Sequence, residues 1–201
     1  VATEVVSDRR DQARRLRIVA QVLTQHDSDA EQNARQELEQ SDPDAIVALA
    51  KRLDQAAHFT ADPARRRIAS ISRMLTERLL SRSDDLEPGV RAQARVIRIR
   101  GQLDSGDLDG ARRSAESWSA DLDPSRLPPE MIAPLADALD RLGLYPQAAD
   151  AHRAVIAAHT PGTRPWFEAR YGLAVAYYRT GRPTEARRLI DGTIALHPDL
   201  G

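Results

Sequence analysis

Gly106, Gly143 and Gly181 are each followed, five positions on, by an alanine: Ala111, Ala148 and Ala186. A proline closes each unit, at Pro124, Pro161 and Pro198. The glycines recur at intervals of 37 and 38 residues. Self-similarity on this scale constrains a fold more than any single element does. It marks a supersecondary unit that buries its apolar face only by stacking on a neighbour. The three residue types have separate tasks in such a unit. Glycine adopts the left-handed conformation that ends a helix, alanine lets two helix axes approach, and proline stops the helix before it.

Composition fixes the class of the repeated element. Hydrophobic residues are 41% of the chain but aromatics only 4%. Alanine and leucine carry most of the apolar surface among arginines and glutamates, a mixture that loses little side-chain freedom in a helix. β-Branched and aromatic runs of strand length are nearly absent, so the chain reads as all-α. Lys plus Arg, 29, almost balances Asp plus Glu, 30. That balance supplies no global field for nucleic acid or an anionic membrane, and neither is expected as a partner. Lys51 is the single lysine, as a GC-rich coding sequence would give. Arginines among acids on helix faces form solvated ion pairs of small individual worth.

The absence of cysteine excludes a disulfide framework, a thiolate zinc knuckle and a thiol nucleophile. No apolar run approaches the roughly 20 residues that span a bilayer. The compartment stays open between cytoplasm and periplasm. Val1 and Gly201 as terminal residues fit a processed or excised segment.

Five helix pairs fit the hydrophobic pattern. A first helix is expected over 4–25, with Val5, Leu16, Val19, Ala20 and Leu23 on its apolar side. Asp29 and Gln32 form a capping box for a short second helix ending near Gln40. Asp42-Pro43 and Asp62-Pro63 each place a capping carboxylate before a proline, starting helices over 43–58 and 63–82. The polar, turn-rich segment 83–89 is the expected internal boundary, dividing N-terminal pairs (1–83) from repeats (84–201). Beyond it, hairpins are expected from helices at 90–104 and 107–120, 130–142 and 146–159, and 165–180 and 183–196.

These residues resemble tetratricopeptide repeats, whose pattern runs over about 34 residues. Leu173, Ala174, Tyr177, Gly181, Ala186 and Pro198 match that pattern in register. Leu135, Ala136, Leu139, Gly143, Tyr145 and Ala148 match in the middle unit, and Ile99, Gly106, Leu108 and Ala111 in the first. Arg98 and Gln102 stand where apolar residues are expected, and Val155 and Thr193 where a small alanine is. The repeats are placed at about 90–124, 130–161 and 165–198, with lengthened loops at 124–129 and 160–165. The resemblance implies a right-handed solenoid of antiparallel helix hairpins, continued or capped by the N-terminal pairs.

Chemical motifs offer less. Ser105-Gly106-Asp107-Leu108-Asp109-Gly110 with Glu116 copies part of an EF-hand loop, but Ser105 replaces the first carboxylate and the following residues read as helix. His152 and His159 lie two turns apart, about 10 Å along a helix and too far to share a metal. They read as surface or capping histidines, as do His26, His58 and His197 near helix ends. There is no phosphate-binding loop, H-E-x-x-H or nucleophile elbow, so no catalytic residue, metal or cofactor is expected.

The surface carries the functional expectation. In tetratricopeptide arrays the first helices of successive hairpins line a concave groove. By register the resemblance places Arg100 there from the first unit. Glu130, Ala133, Asp137, Asp140 and Arg141 follow from the second, and Glu168, Tyr171, Val175, Tyr178 and Arg179 from the third. Tyrosine and arginine combine contact area with polar reach and often anchor interfaces. The subtype that clamps a terminal carboxylate with Lys and Asn is not implied, because Ala133, Asp137, Tyr171 and Val175 occupy those positions. Trp118 and Trp166 flank the lengthened loops, Trp166 as a plug at the join between hairpins. The expected function is a non-catalytic scaffold or adaptor for a protein or peptide. The alternative is a homo-oligomer built by stacking repeats.

Overall fold

The computed structural model describes residues 17–18, 20–22, 24, 27–82, 86–119, 123–124 and 127–198. Residues 17–18 and 20–22 are helical, and the helices described from end to end are α1 (Asp27–Gln40), α2 (Pro43–His58), α3 (Ala64–Ser81), α4 (Pro88–Ser105), α5 (Leu108–Ser119), α6 (Pro129–Arg141), α7 (Tyr145–Ala158), α8 (Arg164–Arg179) and α9 (Pro183–Leu196). Among the described residues there is no strand, and the fold is all-α, its helices packed in adjacent pairs. The expected helix over 4–25 falls mostly outside the described residues, as does His26.

The repeated glycines end helices as the spacing requires. Gly106, Gly143 and Gly181 have φ of 91°, 70° and 77°. Each is followed by a reversed hydrogen bond that closes the turn: Asp107 N–H to Gln102 O at 2.8 Å, Leu144 to Leu139 at 2.9 Å, and Arg182 to Tyr177 at 2.9 Å. This is the Schellman arrangement three times over. Five residues on, Ala111, Ala148 and Ala186 are all buried, where a small side chain lets the second helix lie close to the first.

Helix starts divide by chemistry. Asp42 accepts from Ala45 N–H at 2.8 Å and caps α2. Asp62, expected to cap the next helix, does not: α3 begins at Ala64 without a side-chain cap, and Asp62 lies 3.5 Å from Arg66 one turn on. Asp107 caps the start of α5, taking Gly110 N–H at 2.9 Å, and its other oxygen meets Arg73 at 3.3 Å. The residue that resembled a calcium ligand is thus occupied in holding a helix turn.

The chain groups into two compact units, 1–111 and 112–201. In the first, α2 packs on α3 and α3 on α4, while α2 also touches α4. Its core holds Leu49, Leu53, Ile68, Leu75, Ile97 and Ile99. A Cβ on Gly101 would lie 3.1 Å from Ala69 O, so this glycine sets how closely α4 meets α3. Gln102, out of pattern with the family, is buried all the same. Arg98 is half buried there, its guanidinium pushed below the usual range by burial, against the opposing pull of Glu77. In the second unit α6 packs on α7, α7 on α8 and α8 on α9, and α6 reaches α8. Within each unit these successive helices pack on one another, and α2 and α6 also reach the helix after next, which is how stacked hairpins bury their faces.

Candidate functional site

Between α6 and α8, with α7 beneath, the second unit holds a groove of about 420 Å³. Its size follows from side chains too small to fill it. Ala133 and Ala136 on α6 and Ala169 and Gly172 on α8 leave the space between the axes open. Tyr171, 72% exposed, stands along one wall with Val175 and Arg179 on the same helix. Asp137 and Asp140 line the opposite wall, and Glu168 lies toward the start of α8.

The floor holds the chemistry that the sequence did not reveal. His152 on α7 is buried, and its Nε2 lies 2.7 Å from Asp140 Oδ2. The imidazole reaches this place because residue 172 has no side chain: a Cβ there would sit 2.2 Å from His152 Cε1. The reading of His152 as a surface or capping histidine is therefore corrected. Asp140, twelve residues away on another helix, could not be found by searching three or four residues along α7. His159 does behave as a capping residue, its Nδ1 2.9 Å from Val155 O.

Electrostatically the lining leans acidic, with Asp137, Asp140 and Glu168 against Arg179. Two of the carboxylates have exposed partners on their own helices. Arg141 stands 3.9 Å from Asp137, and Arg164 donates to Glu168 at 2.7 Å. Arg179 lies 5.9 Å from the Tyr145 ring centroid. Asp140 differs: its Oδ1 is buried and has no hydrogen-bond partner.

Of the residues assigned by register, Asp137, Asp140, Tyr171, Val175 and Arg179 line this one groove. Tyr178 lies beside it, 67% exposed, in a second recess of about 600 Å³ between α8 and α9 shared with Tyr171, Val175 and Arg179. Arg141 is at the rim, beside Asp137. Arg100 is elsewhere: it lies in the unit 1–111, where its Nη1 is 3.1 Å from Oδ2 of the buried Asp54 and its own side chain keeps 12% of its surface. The same register position carries Arg100 on α4, Asp137 on α6 and Val175 on α8. On α4 the long side chain turns inward to a buried acid on α2, so it packs rather than faces a groove.

At the other side of α8, Trp166 is buried. It meets Phe167 and His197 edge-on at 5.1 and 5.4 Å, with Arg170 over its ring at 4.6 Å. Arg170 also donates to Thr193 Oγ1 at 2.6 Å and Leu189 O at 3.0 Å, and burial pushes its guanidinium below the usual range. Trp166 was expected at the join with the preceding hairpin. These contacts bind the last hairpin, α8 and α9, to itself.

Among the described residues, no group of three His, Asp or Glu side chains is placed to hold a metal, and no helix is long and apolar enough to cross a membrane. No protein-family model and no curated protein matches the chain. A solved structure of MamA AMB-1 does: it is 18% identical, with a TM-score of 0.50, over 96% of this chain and 95% of that one. A MamA mutant structure aligns at 19% identity and a TM-score of 0.49, over 94% of this chain and 99% of that one. At this identity the likeness concerns the fold alone, and it is to an all-helical, tetratricopeptide-like fold.

Proposed function

We propose that the chain is a non-catalytic scaffold that holds a segment of a partner protein in the α6–α8 groove. The observation that carries this reading is the groove itself, kept open by Ala133, Ala136, Ala169 and Gly172 and walled by an exposed tyrosine. A volume of this order suits one or two inserted side chains, and a rigid helical wall limits the entropy lost on binding. Tyr171 and Arg179 are exposed, so Tyr171→Ala/Arg179→Ala should leave the helical circular dichroism signal unchanged. In affinity capture from source lysate, a partner held by the wild type should be lost by this variant. Equal capture by both proteins would remove the groove from the function.

A second reading, self-assembly, is favoured by one face of α9. Ile190 and Ile194, 46% and 55% exposed, sit 38 residues beyond His152 and Ile156 of α7. On α7 that face receives α8; on α9 it meets solvent. Exposed aliphatic residues one turn apart are the kind of patch that a second copy would cover. Light scattering over a concentration series should show mass rising for the wild type and a constant monomer mass for Ile190→Glu/Ile194→Glu. A wild type that stays monomeric throughout would dispose of this reading.

A further inference from the structure

The α8–α9 face of the second unit carries both halves of a contact. Among the described residues of that unit, the exposed large apolar side chains are Tyr171, Tyr178, Ile190, Ile194 and Leu196, all on these two helices. The recess of about 600 Å³ between the helices is lined by Tyr171, Tyr178, Pro183 and Ile190. Ile190 and Ile194, one turn apart, form an aliphatic ridge on α9. One hairpin earlier, the corresponding face of α6 and α7 receives α8. Where α6 has Ala133 and Asp140, however, α8 has Tyr171 and Tyr178, 38 residues on. The tyrosines hold an incoming backbone further off than α8 sits and leave room for aliphatic side chains instead. A patch that offers recess and ridge together can pair with itself about a two-fold axis, whereas a head-to-tail contact needs a second, different patch. In the unit 1–111 the exposed large apolar side chains among the described residues are Phe59, after α2, and Leu108, at the start of α5, on separate elements. The charges of the α9 face are self-complementary too. Arg187 and Asp191 lie 3.6 Å apart and are 85% and 65% exposed, a pair of little worth on its own helix. In two α9 helices run antiparallel about residue 189, Arg187 of each copy is level with Asp191 of the other. Arg179, the third charged residue of the recess, lies by the Tyr145 ring.

We propose that two copies of this chain close on each other as an isologous dimer, α9 antiparallel to α9 about a two-fold axis near residue 189. Ile194 of each copy enters the recess of the other between Tyr178 and Pro183, and the two Ile190 side chains meet beside the axis. The assignment rests on the self-assembly reading and deepens it. The contact uses one face once, so growth stops at two copies rather than running on as a stack. Pairing removes from water an apolar face that is otherwise exposed. A single helix pair is a small interface, suited to a dimer that separates on dilution.

The chain has no cysteine, so single introduced cysteines report the geometry directly. A disulfide needs Cα atoms within about 7 Å. Ile190→Cys, beside the axis, should cross-link to its counterpart under mild oxidation. Ile194→Cys should not, because antiparallel helices carry residue 194 of the two copies about 15 Å apart along the axis. Mixed with Pro183→Cys, which also stays single when alone, Ile194→Cys should give the mixed dimer. Light scattering on the wild type should show the mass levelling at two copies. Arg187→Glu and Asp191→Arg should each weaken the dimer about tenfold, since each reversal acts at both symmetric contacts. Arg187→Glu/Asp191→Arg together should restore it. All of these positions are exposed, so the helical circular dichroism signal should not change. Ile194→Cys cross-linking to itself, or a mass rising past two copies, would keep self-assembly and overturn the antiparallel dimer. Association without any of these cross-links would move the contact off α9 and overturn it likewise. A wild type that stays monomeric at every concentration would end both readings and leave the recess to a helix of a different protein.

Discussion

Asp54→Ala is expected to cost about 3–5 kcal/mol, because it leaves the Arg100 guanidinium buried without its carboxylate. The two side chains keep only 7% and 12% of their surface. With so little surface exposed, water replaces the lost contact only in part. Against a typical stability of about 5–15 kcal/mol, such a loss would melt much of the unit 1–111 under mild conditions. Hydrogen exchange followed helix by helix should therefore show α2, α3 and α4 losing protection, with α7 and α8 keeping theirs. The double variant Asp54→Leu/Arg100→Met should recover most of the loss. Replacing a buried pair by apolar groups of similar volume removes the desolvation cost along with the attraction, and Arg100 Nε is buried without a hydrogen bond even in the intact pair. A single variant that unfolds no earlier in urea than the wild type would show that the pair is solvated in solution.

The pair also shows where sequence reading stops. The repeat was legible because its signals are local. A glycine that must turn left-handed, an alanine at a close crossing and a proline after the helix each act within a few residues, so spacing alone placed α4 to α9 within about two residues of their ends, the usual uncertainty at a helix boundary. Groove residues came from the same register: Asp137, Asp140, Tyr171, Val175 and Arg179 share one face because three- and four-residue steps keep them there. Arg100 obeys that register and still departs from the groove, since its acid lies 46 residues earlier on a helix with no recognisable repeat pattern. His152 and Asp140 were missed for a related reason. A contact between helices depends on rotation about both axes, and nothing local reports that rotation. One signal was available: a glycine in the middle of α8 costs about 0.5–1 kcal/mol relative to alanine, and a cost of that kind asks for a close approach from outside the helix.

That cost gives the sharpest prediction for the groove, one in which the sign carries the argument. In an ordinary helix interior, Gly172→Ala would stabilise by about 0.5–1 kcal/mol. Here the added methyl would sit 2.2 Å from His152 Cε1 and 2.3 Å from Nε2. The ring cannot retreat without giving up Asp140, so overpacking of about 1–3 kcal/mol should outweigh the helix gain and make the variant less stable. With His152→Ala already in place the obstruction is gone, and the same Gly172→Ala change should become neutral or stabilising. The cycle of four proteins, measured by urea denaturation, isolates the contact between the two residues from the propensity of either. A Gly172→Ala change that stabilises the protein with His152 present would mean that the imidazole does not occupy the floor. Asp140 would then lack the neighbour that holds its Oδ2, and the groove would have a different floor. Destabilisation that disappears in the His152→Ala background would instead fix the imidazole, and its contact with Asp140, as the floor of the groove.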